Sequence, residues 1–150
     1  MPVAITLRPA TLQDAELLLA WRNDPHTRLS SHDTNEITLA QHLAWLNRVL
    51  NDVARRLFIA EEAGTPVGSV RADTEPDGTT VLSWTVAPLA RGRGVGKRML
   101  VALLEETSGP VRAEVKIGNT ASMRIAESAG LSLIHEEHGV LHYAGGHTDS

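Results

Sequence analysis

Apolar positions recur along this chain with two periods, and the switches between them lay out the elements. From Val3 to Arg8 apolar and polar residues alternate, as in a strand with one buried face. At Thr11 the period lengthens: Leu12, Ala15, Leu18, Leu19 and Trp21 form one helical stripe, with Asp14 in capping-box spacing from Thr11. Pro25 is expected to end this helix. Thr38 and Gln41 repeat the capping spacing and open a second helix, whose apolar side carries Leu39, Leu43, Leu46, Val49 and Leu50. The polar stretch between them, Asp24 to Ile37, has no periodicity and is long enough for a substrate loop.

Three strand-like runs follow, Arg56 to Glu61, Val67 to Asp73 and Thr79 to Val86, separated by Gly64-Thr65-Pro66 and Pro76-Asp77-Gly78, as in an antiparallel meander. Next come an apolar helical run stopped by Ser108-Gly109-Pro110, a strand from Val111 to Ile117 and a helix opened by Asn119. A strand pair, Leu131 to His135 and Val140 to Tyr143, closes the order β-α-α-β-β-β-α-β-α-β-β. Residues 1–143 read as a single domain and Ala144 to Ser150 as a flexible tail.

Composition bounds the function without naming it. Hydrophobic residues make up 42% of the 150, with few aromatics, so the core must be built from Leu, Val, Ile and Ala. The net charge of −4 argues against nucleic acid as a partner. There is no cysteine, hence no disulfide framework or thiol chemistry. No apolar run has the length of a membrane span and no signal-peptide pattern opens the chain, so no membrane association is expected and cytoplasm is the expected location.

The basic residues concentrate in one place. Residues 91–98 read Arg-Gly-Arg-Gly-Val-Gly-Lys-Arg, between the run ending at Val86 and the helix opening near Met99. A strand passing through a glycine-rich turn into a helix presents free N–H groups and the positive helix end to an anion. A Walker loop, and with it a phosphate-loop nucleotide hydrolase, is a weakened third reading, because Arg91 stands where its first glycine belongs and Arg98 where a hydroxyl must hold magnesium. The strict alternation of Gly92, Gly94 and Gly96 fits a dinucleotide fingerprint poorly. What remains is R-x-x-G-x-G.

That pattern resembles the pyrophosphate loop of the GNAT superfamily of acyl-CoA-dependent N-acyltransferases. A second block, Asn119 to Leu131, resembles the superfamily's later segment, where Asn opens a helix that ends at a glycine. The resemblance implies an α/β (α+β) fold, with a mostly antiparallel sheet containing one parallel, splayed pair and about four flanking helices. It implies an N-acetyltransferase that moves acetyl from acetyl-CoA to a primary amine by direct attack in a ternary complex. Donor contacts would come from Trp84, Thr85 and Val86 along the splayed strand, from Arg91, Gly92, Arg93, Gly94, Val95, Gly96 and Lys97 in the loop, and from Asn119 and Ser122. Asn119 serves either as a helix cap alone or also as a pantetheine contact.

Catalytic groups are less defined. Glu114 lies where ribosomal-protein alanine acetyltransferases of the superfamily place a catalytic Glu. It is read as general base or, alternatively, as a surface partner of Arg112 or Lys116 on the same strand face. Many members carry a Tyr acid seven residues after the Asn, and here that position is Ala126. Tyr143, the only tyrosine, either replaces it or packs on the sheet edge. His135, His138, His142 and His147 match no zinc spacing and are expected to be scattered by a strand-turn-strand, so no metal is expected.

For the acceptor, Trp21 to Arg28 and His42-x-x-Trp45-Leu46 resemble the branch holding nucleotide-linked amino-sugar and ribosomal-protein N-terminal acetyltransferases. Arg22 and Arg28 suit a diphosphate, while Asp24, Asp33 and Glu36 suit an ammonium or a basic peptide. Trp21 and Trp45 fall at core positions. An amino-sugar acceptor is the first reading; a peptide N-terminus, or a non-catalytic acyl-CoA-binding module, is the alternative. A homodimer is compatible with the superfamily.

Overall fold

The computed structural model describes residues 4–29 and 35–146. Its strands are β1 (Ile5–Pro9), β2 (Arg55–Glu62), β3 (Thr65–Thr74), β4 (Thr80–Val86), β5 (Pro110–Lys116), β6 (Ser132–Glu137) and β7 (Val140–Gly146). The helices are α1 (Ala15–Asn23), α2 (Pro25–Leu29), α3 (Leu39–Leu50), α4 (Val95–Glu105) and α5 (Thr120–Ser128). All seven strands share one sheet in the order β1-β2-β3-β4-β5-β7-β6.

Every neighbouring pair is antiparallel except β4 and β5, which α4 joins as a crossover. That parallel pairing lasts for three residues, Thr80, Val81 and Leu82 against Val111, Arg112 and Ala113. Beyond Leu82 the strands part, while β3 holds β4 as far as Val86 and β7 holds β5 as far as Lys116. The fold is the expected α+β sheet with a splayed parallel pair.

Alternation along β4 assigns its two faces. Ser83 and Thr85 face α1 and α3, whereas Trp84 and Val86 face α5 and α4. The core follows the same division: Trp21, Leu46, Val49 and Leu57 are buried on the first side, and Met99, Leu100 and Leu103 of α4 on the second.

Both predicted capping boxes form: Thr11 with Asp14 and Thr38 with Gln41. Asp14 does more than cap. Its two carboxylate oxygens accept from Arg8 Nη1 and Nη2 at 2.9 and 2.8 Å, and Arg8 Nε donates to Glu61 at 3.1 Å. One guanidinium thus ties β1, β2 and the turn before α1 together.

Several expectations are corrected. Pro25 does not only follow α1; it opens α2, because a proline at the first helical position loses no hydrogen bond and Asp24 accepts from Thr27 N–H at 3.1 Å. Among the described residues five helices therefore flank the sheet, in keeping with the expected number of about four. On α3 the buried side is His42, Leu46 and Val49, while Leu39 and Leu43 are exposed: the amphipathic His42 and Trp45 turn inward beside a cavity. Ala144 to Gly146 are not frayed but extend β7 along Pro110 to Arg112. The start of β1 at Val3 and the end of the tail, 147–150, lie outside the described residues, as does Asp33.

Two of the histidines expected to be scattered are brought together. A register shift on β6 between Leu133 and His135 puts His135 opposite His142, their rings stacked with centroids 4.2 Å apart. With Glu137 they form a group whose potential ligand atoms lie within 4.8 Å of one another. His147 lies outside the described residues. No helix among the described residues is long and apolar enough to cross a membrane.

The guanidinium of Arg8 holds the Asp14 carboxyl below the ordinary carboxylate range, chiefly through hydrogen bonding. A carboxyl depressed by folding stabilises fully above its unfolded pKa of about 4, and the contribution disappears as pH falls through the folded value. Arg8→Gln should therefore cost about 1 kcal/mol at pH 7 and flatten the loss of stability between pH 5 and 2, with Arg8 discounted for its partial exposure. Urea denaturation across that range checks it; an unchanged acid limb would assign acid sensitivity elsewhere.

Candidate functional site

Where β4 and β5 separate, backbone groups lose partners. Ala87 N–H donates to Val67 O at 2.8 Å, so antiparallel alternation commits the amides of Thr85 and Ser83 to β3. The amides of Trp84 and Val86 then point to the side that β5 has left. After Val86 the chain turns through Pro88–Ala90 into the glycine loop. Gly92 and Gly94 have φ of +79° and +72°, a left-handed geometry that costs glycine no Cβ clash. Gly94 caps α4 without a side chain, leaving the amides of Val95, Gly96 and Lys97 uncapped by any side chain.

The three loop glycines serve different ends. A Cβ on Gly92 or Gly94 would meet nothing within 4 Å, so the space before the loop is open. A Cβ on Gly96 would overlap Ile125 Cδ1 and lie 3.2 Å from Val86 Cγ2. Gly96 therefore lets α4, α5 and β4 meet closely, which aims the helix start at the crevice.

The loop's positive charge is largely answered within the chain. Arg91 Nη2 donates to Asp24 Oδ2 at 2.7 Å and to Thr27 Oγ1 at 3.0 Å, and this hydrogen bond holds the Asp24 carboxyl below the usual range. Arg98 and Arg93 both turn to Glu62, at 2.7 and 3.2 Å, and depress its carboxyl in the same way. Lys97 has no carboxylate partner among the described residues and borders the crevice.

The crevice between the splayed strands encloses about 610 Å³, from α2 past the glycine loop and along Trp84 to Val86, with Glu114 to Lys116 opposite and Asn119 and Ser122 at one side. Of the site residues expected from sequence, all but Arg93 and Tyr143 border it. Arg93 is held away at Glu62. Tyr143 is corrected as an acid candidate: it is buried on the α5 side of β7, and its hydroxyl donates to Glu127 Oε2 at 3.4 Å. Burial first, and Glu127 second, push its pKa up. Ala126 is fully buried and does not border the crevice either.

Glu114 has no ion-pair partner among the described residues, and Lys116 instead donates to Leu29 O at 3.1 Å. Asn119 Oδ1 accepts from Ser122 N–H at 3.1 Å, which makes it the cap of α5. Trp84 Nε1 donates to Ser122 Oγ at 3.2 Å and fixes the indole against that helix.

A second cavity of about 600 Å³ lies on the opposite face, under α1 and α3, walled by Trp21, His42, Trp45, Ser69 and Arg71. It shares Ser83, Trp84 and Thr85 with the crevice. His42 is buried, its pKa pulled down by desolvation and by Arg22, and its ring stacks on Trp45 with centroids 5.5 Å apart. From sequence Trp21 and Trp45 read as core, His42 enters only through the His42-x-x-Trp45-Leu46 spacing, and Arg71 is not singled out. The signal available was an amphipathic His and Trp on one side of α3, facing an Arg on a strand that otherwise alternates cleanly.

A family model described as an acetyltransferase (GNAT) domain matches residues 4–132. The chain belongs to this GNAT acetyltransferase family. It is thus an acetyltransferase, and the expectation of acetyl-CoA as donor stands. No curated protein sequence matches the GNAT chain. Among solved structures, a ribosomal-protein-alanine N-acetyltransferase from Brucella melitensis is 26% identical, with a TM-score of 0.78 over 93% of this chain and 98% of that one. An aminoglycoside acetyltransferase solved with coenzyme A is 22% identical, with a TM-score of 0.80 over 95% of both chains. A spermidine N-acetyltransferase from Vibrio cholerae, solved with CoA and spermine, is 16% identical, with a TM-score of 0.81 over 93% of this chain and 94% of the other. The last two share the fold of this GNAT domain.

Gly96→Ala should destabilise the domain by about 1–3 kcal/mol through forced separation of α4 from α5, despite alanine's better helix propensity. Gly92→Ala, which meets open space, should cost only about 1–2 kcal/mol for its left-handed backbone and leave that packing intact. Thermal denaturation of the pair, with near-ultraviolet dichroism reporting the Trp84 environment, checks this; equal spectra would mean the helices do not depend on Gly96.

Proposed function

We propose that this domain transfers acetyl from acetyl-CoA, laid in the crevice, to the N-terminal amine of a peptide entering from the second cavity. The observation that carries this reading is the junction of the two cavities at Ser83, Trp84 and Thr85, where β4 has amides without a strand partner. The crevice suits the donor. Uncapped amides at the start of α4, two left-handed glycines and Lys97 suit a pyrophosphate, and an open strand edge suits an extended amide-bearing arm. The Asn119 amide nitrogen, left over once Oδ1 has capped α5, is free to donate to that arm.

Acetyl-CoA supplies an activated thioester; the rest falls to the chain. The Trp84 and Val86 amides offer hydrogen bonds to a carbonyl oxygen gaining charge. Glu114, across the gap on β5, takes the proton that the ammonium must lose before nitrogen can form its bond to the acyl carbon. The C–S bond then breaks and the thiolate, with an ordinary thiol pKa of about 8.5, leaves without a tyrosine to protonate it.

The peptide acceptor is supported by the 26% identity to the ribosomal-protein-alanine enzyme over nearly the whole chain. The amino-sugar acceptor, the first reading of the sequence, rests on the His42-x-x-Trp45-Leu46 spacing, and His42 and Trp45 stand in the cavity wall, where the acceptor's chemistry is set by the whole lining.

The test is free-thiol release from acetyl-CoA with short peptides bearing a free N-terminus, set against nucleotide-linked amino sugars. Turnover on peptides is expected; turnover on amino sugars alone would replace this reading. Glu114→Gln should lower kcat by about 100-fold or more, most steeply at low pH where free amine is scarce. An undiminished rate would remove it as the base. Lys97→Glu should raise the KM for acetyl-CoA about tenfold with little change in kcat, whereas Arg93→Glu, whose native side chain turns to Glu62 and does not border the crevice, should raise it less. Equal effects would assign the loop's role to overall charge.

A further inference from the structure

On the wall of the second cavity, Arg71 stands on β3 directly opposite Ser83. Its Nε donates to Asp73 Oδ2 at 3.0 Å and its guanidinium lies 5.5 Å from the centre of the Trp45 ring. These contacts fix the plane of the group while using only its Nε edge. The two Nη groups, with four N–H donors by covalent structure, make no hydrogen bond to the chain among the described residues and are not among its buried unpartnered atoms, so they are open to the cavity.

The charge around Arg71 does not cancel. Asp73 is shared, since Arg55 Nε lies 3.8 Å from its other oxygen, so one carboxylate answers two guanidiniums. Among the described residues, the charged side chains on the cavity wall are Arg22, Arg71 and Glu36. The Glu36 side chain is 72% exposed and lies 4.0 Å from Arg28, which places it at the rim. Burial and Arg22 keep His42 toward its neutral form. Among the described residues, a multiply charged cation would find arginines inside this cavity and a single, already paired carboxylate at its edge.

We infer that the acceptor carries a carboxylate as well as its amine, and that Arg71 binds it in bidentate fashion through its free Nη edge. This rests on the reading that the acceptor occupies the second cavity. The geometry limits the separation: Ser83, in register with Arg71, is two residues from Thr85, roughly 7 Å along the strand. A side-chain carboxylate on the residue after an N-terminal amine, or the C-terminus of a dipeptide, spans that distance. A planar, held guanidinium with two parallel donors is what such a group requires.

The experiment uses two amidated tripeptides, Ala-Asp-Ala and Ala-Asn-Ala, which differ only in one charge. Calorimetric titration into protein saturated with coenzyme A reads binding, and thiol release from acetyl-CoA reads transfer. The aspartate peptide is expected to bind at least about tenfold tighter. In Arg71→Gln that ratio should fall to near one, and in Arg71→Lys it should keep an intermediate value, since charge remains without the fork. A general folding defect would weaken both peptides alike and leave the ratio standing. Equal affinities in the native protein, no binding of either peptide, or a preference that survives Arg71→Gln would overturn the carboxylate subsite. Selective binding of the aspartate peptide without thiol release would uphold the subsite and instead overturn the proposed transfer to peptides.

Discussion

The structure depends on a failure of hydrogen bonding at one place. Two adjacent parallel strands pair for three residues and then separate, although each stays bonded to its other neighbour. Backbone N–H and C=O groups are costly to leave unpaired when buried, so the opening persists because the gap stays accessible and both strands are held from outside. β3 fixes β4 to its last residue, and β7, extended to Gly146, fixes β5. Between them the sheet keeps a slot with amides already aligned.

What surrounds the slot is arranged by close approach on one side and by charge on the other. Gly96 lets α4 meet α5 and β4 with no intervening atom, so the helix start and its free amides face the opening. Gly68 plays a similar part on β3, where a Cβ would overlap the Thr85 carbonyl oxygen and crowd Met99. The loop arginines are paired with Asp24 and Glu62, which ties the loop to α2 and to β2. This fixes its shape and, among the described residues, leaves Lys97 and the backbone as its open donors.

The second cavity follows from strand alternation. Trp84 and Val86 serve the α4 and α5 side, so Ser83 and Thr85 must face α1 and α3, and both hollows touch the same three residues of β4. Donor and acceptor chemistry can thus be set on opposite faces of one strand and still meet at its edge. Arg71, held by Asp73 and by the face of Trp45, gives the second cavity a defined polarity.

Much of this was legible in the chain. Hydrophobic period and capping spacing located nearly every element, because helix and strand repeats are local consequences of backbone geometry. The loop 91–97 and Asn119 were legible for the same reason: a glycine turn before a helix and a cap after a strand are local devices. The chain did not disclose which loop arginine would be captured, since Glu62 and Asp24 lie 31 and more positions from Arg93 and Arg91 and meet them only through the sheet. Nor did it disclose the turn of α3 that buries His42 and exposes Leu43, the inward burial of Tyr143, or the bulge that brings His135 beside His142. The sequence by itself determined elements, order and the glycine turn before α4, because those arise from interactions between near neighbours in the chain. Only the tertiary structure decided which side chains reach the crevice and the cavity, because that depends on register, face and charge pairing between segments far apart in the chain.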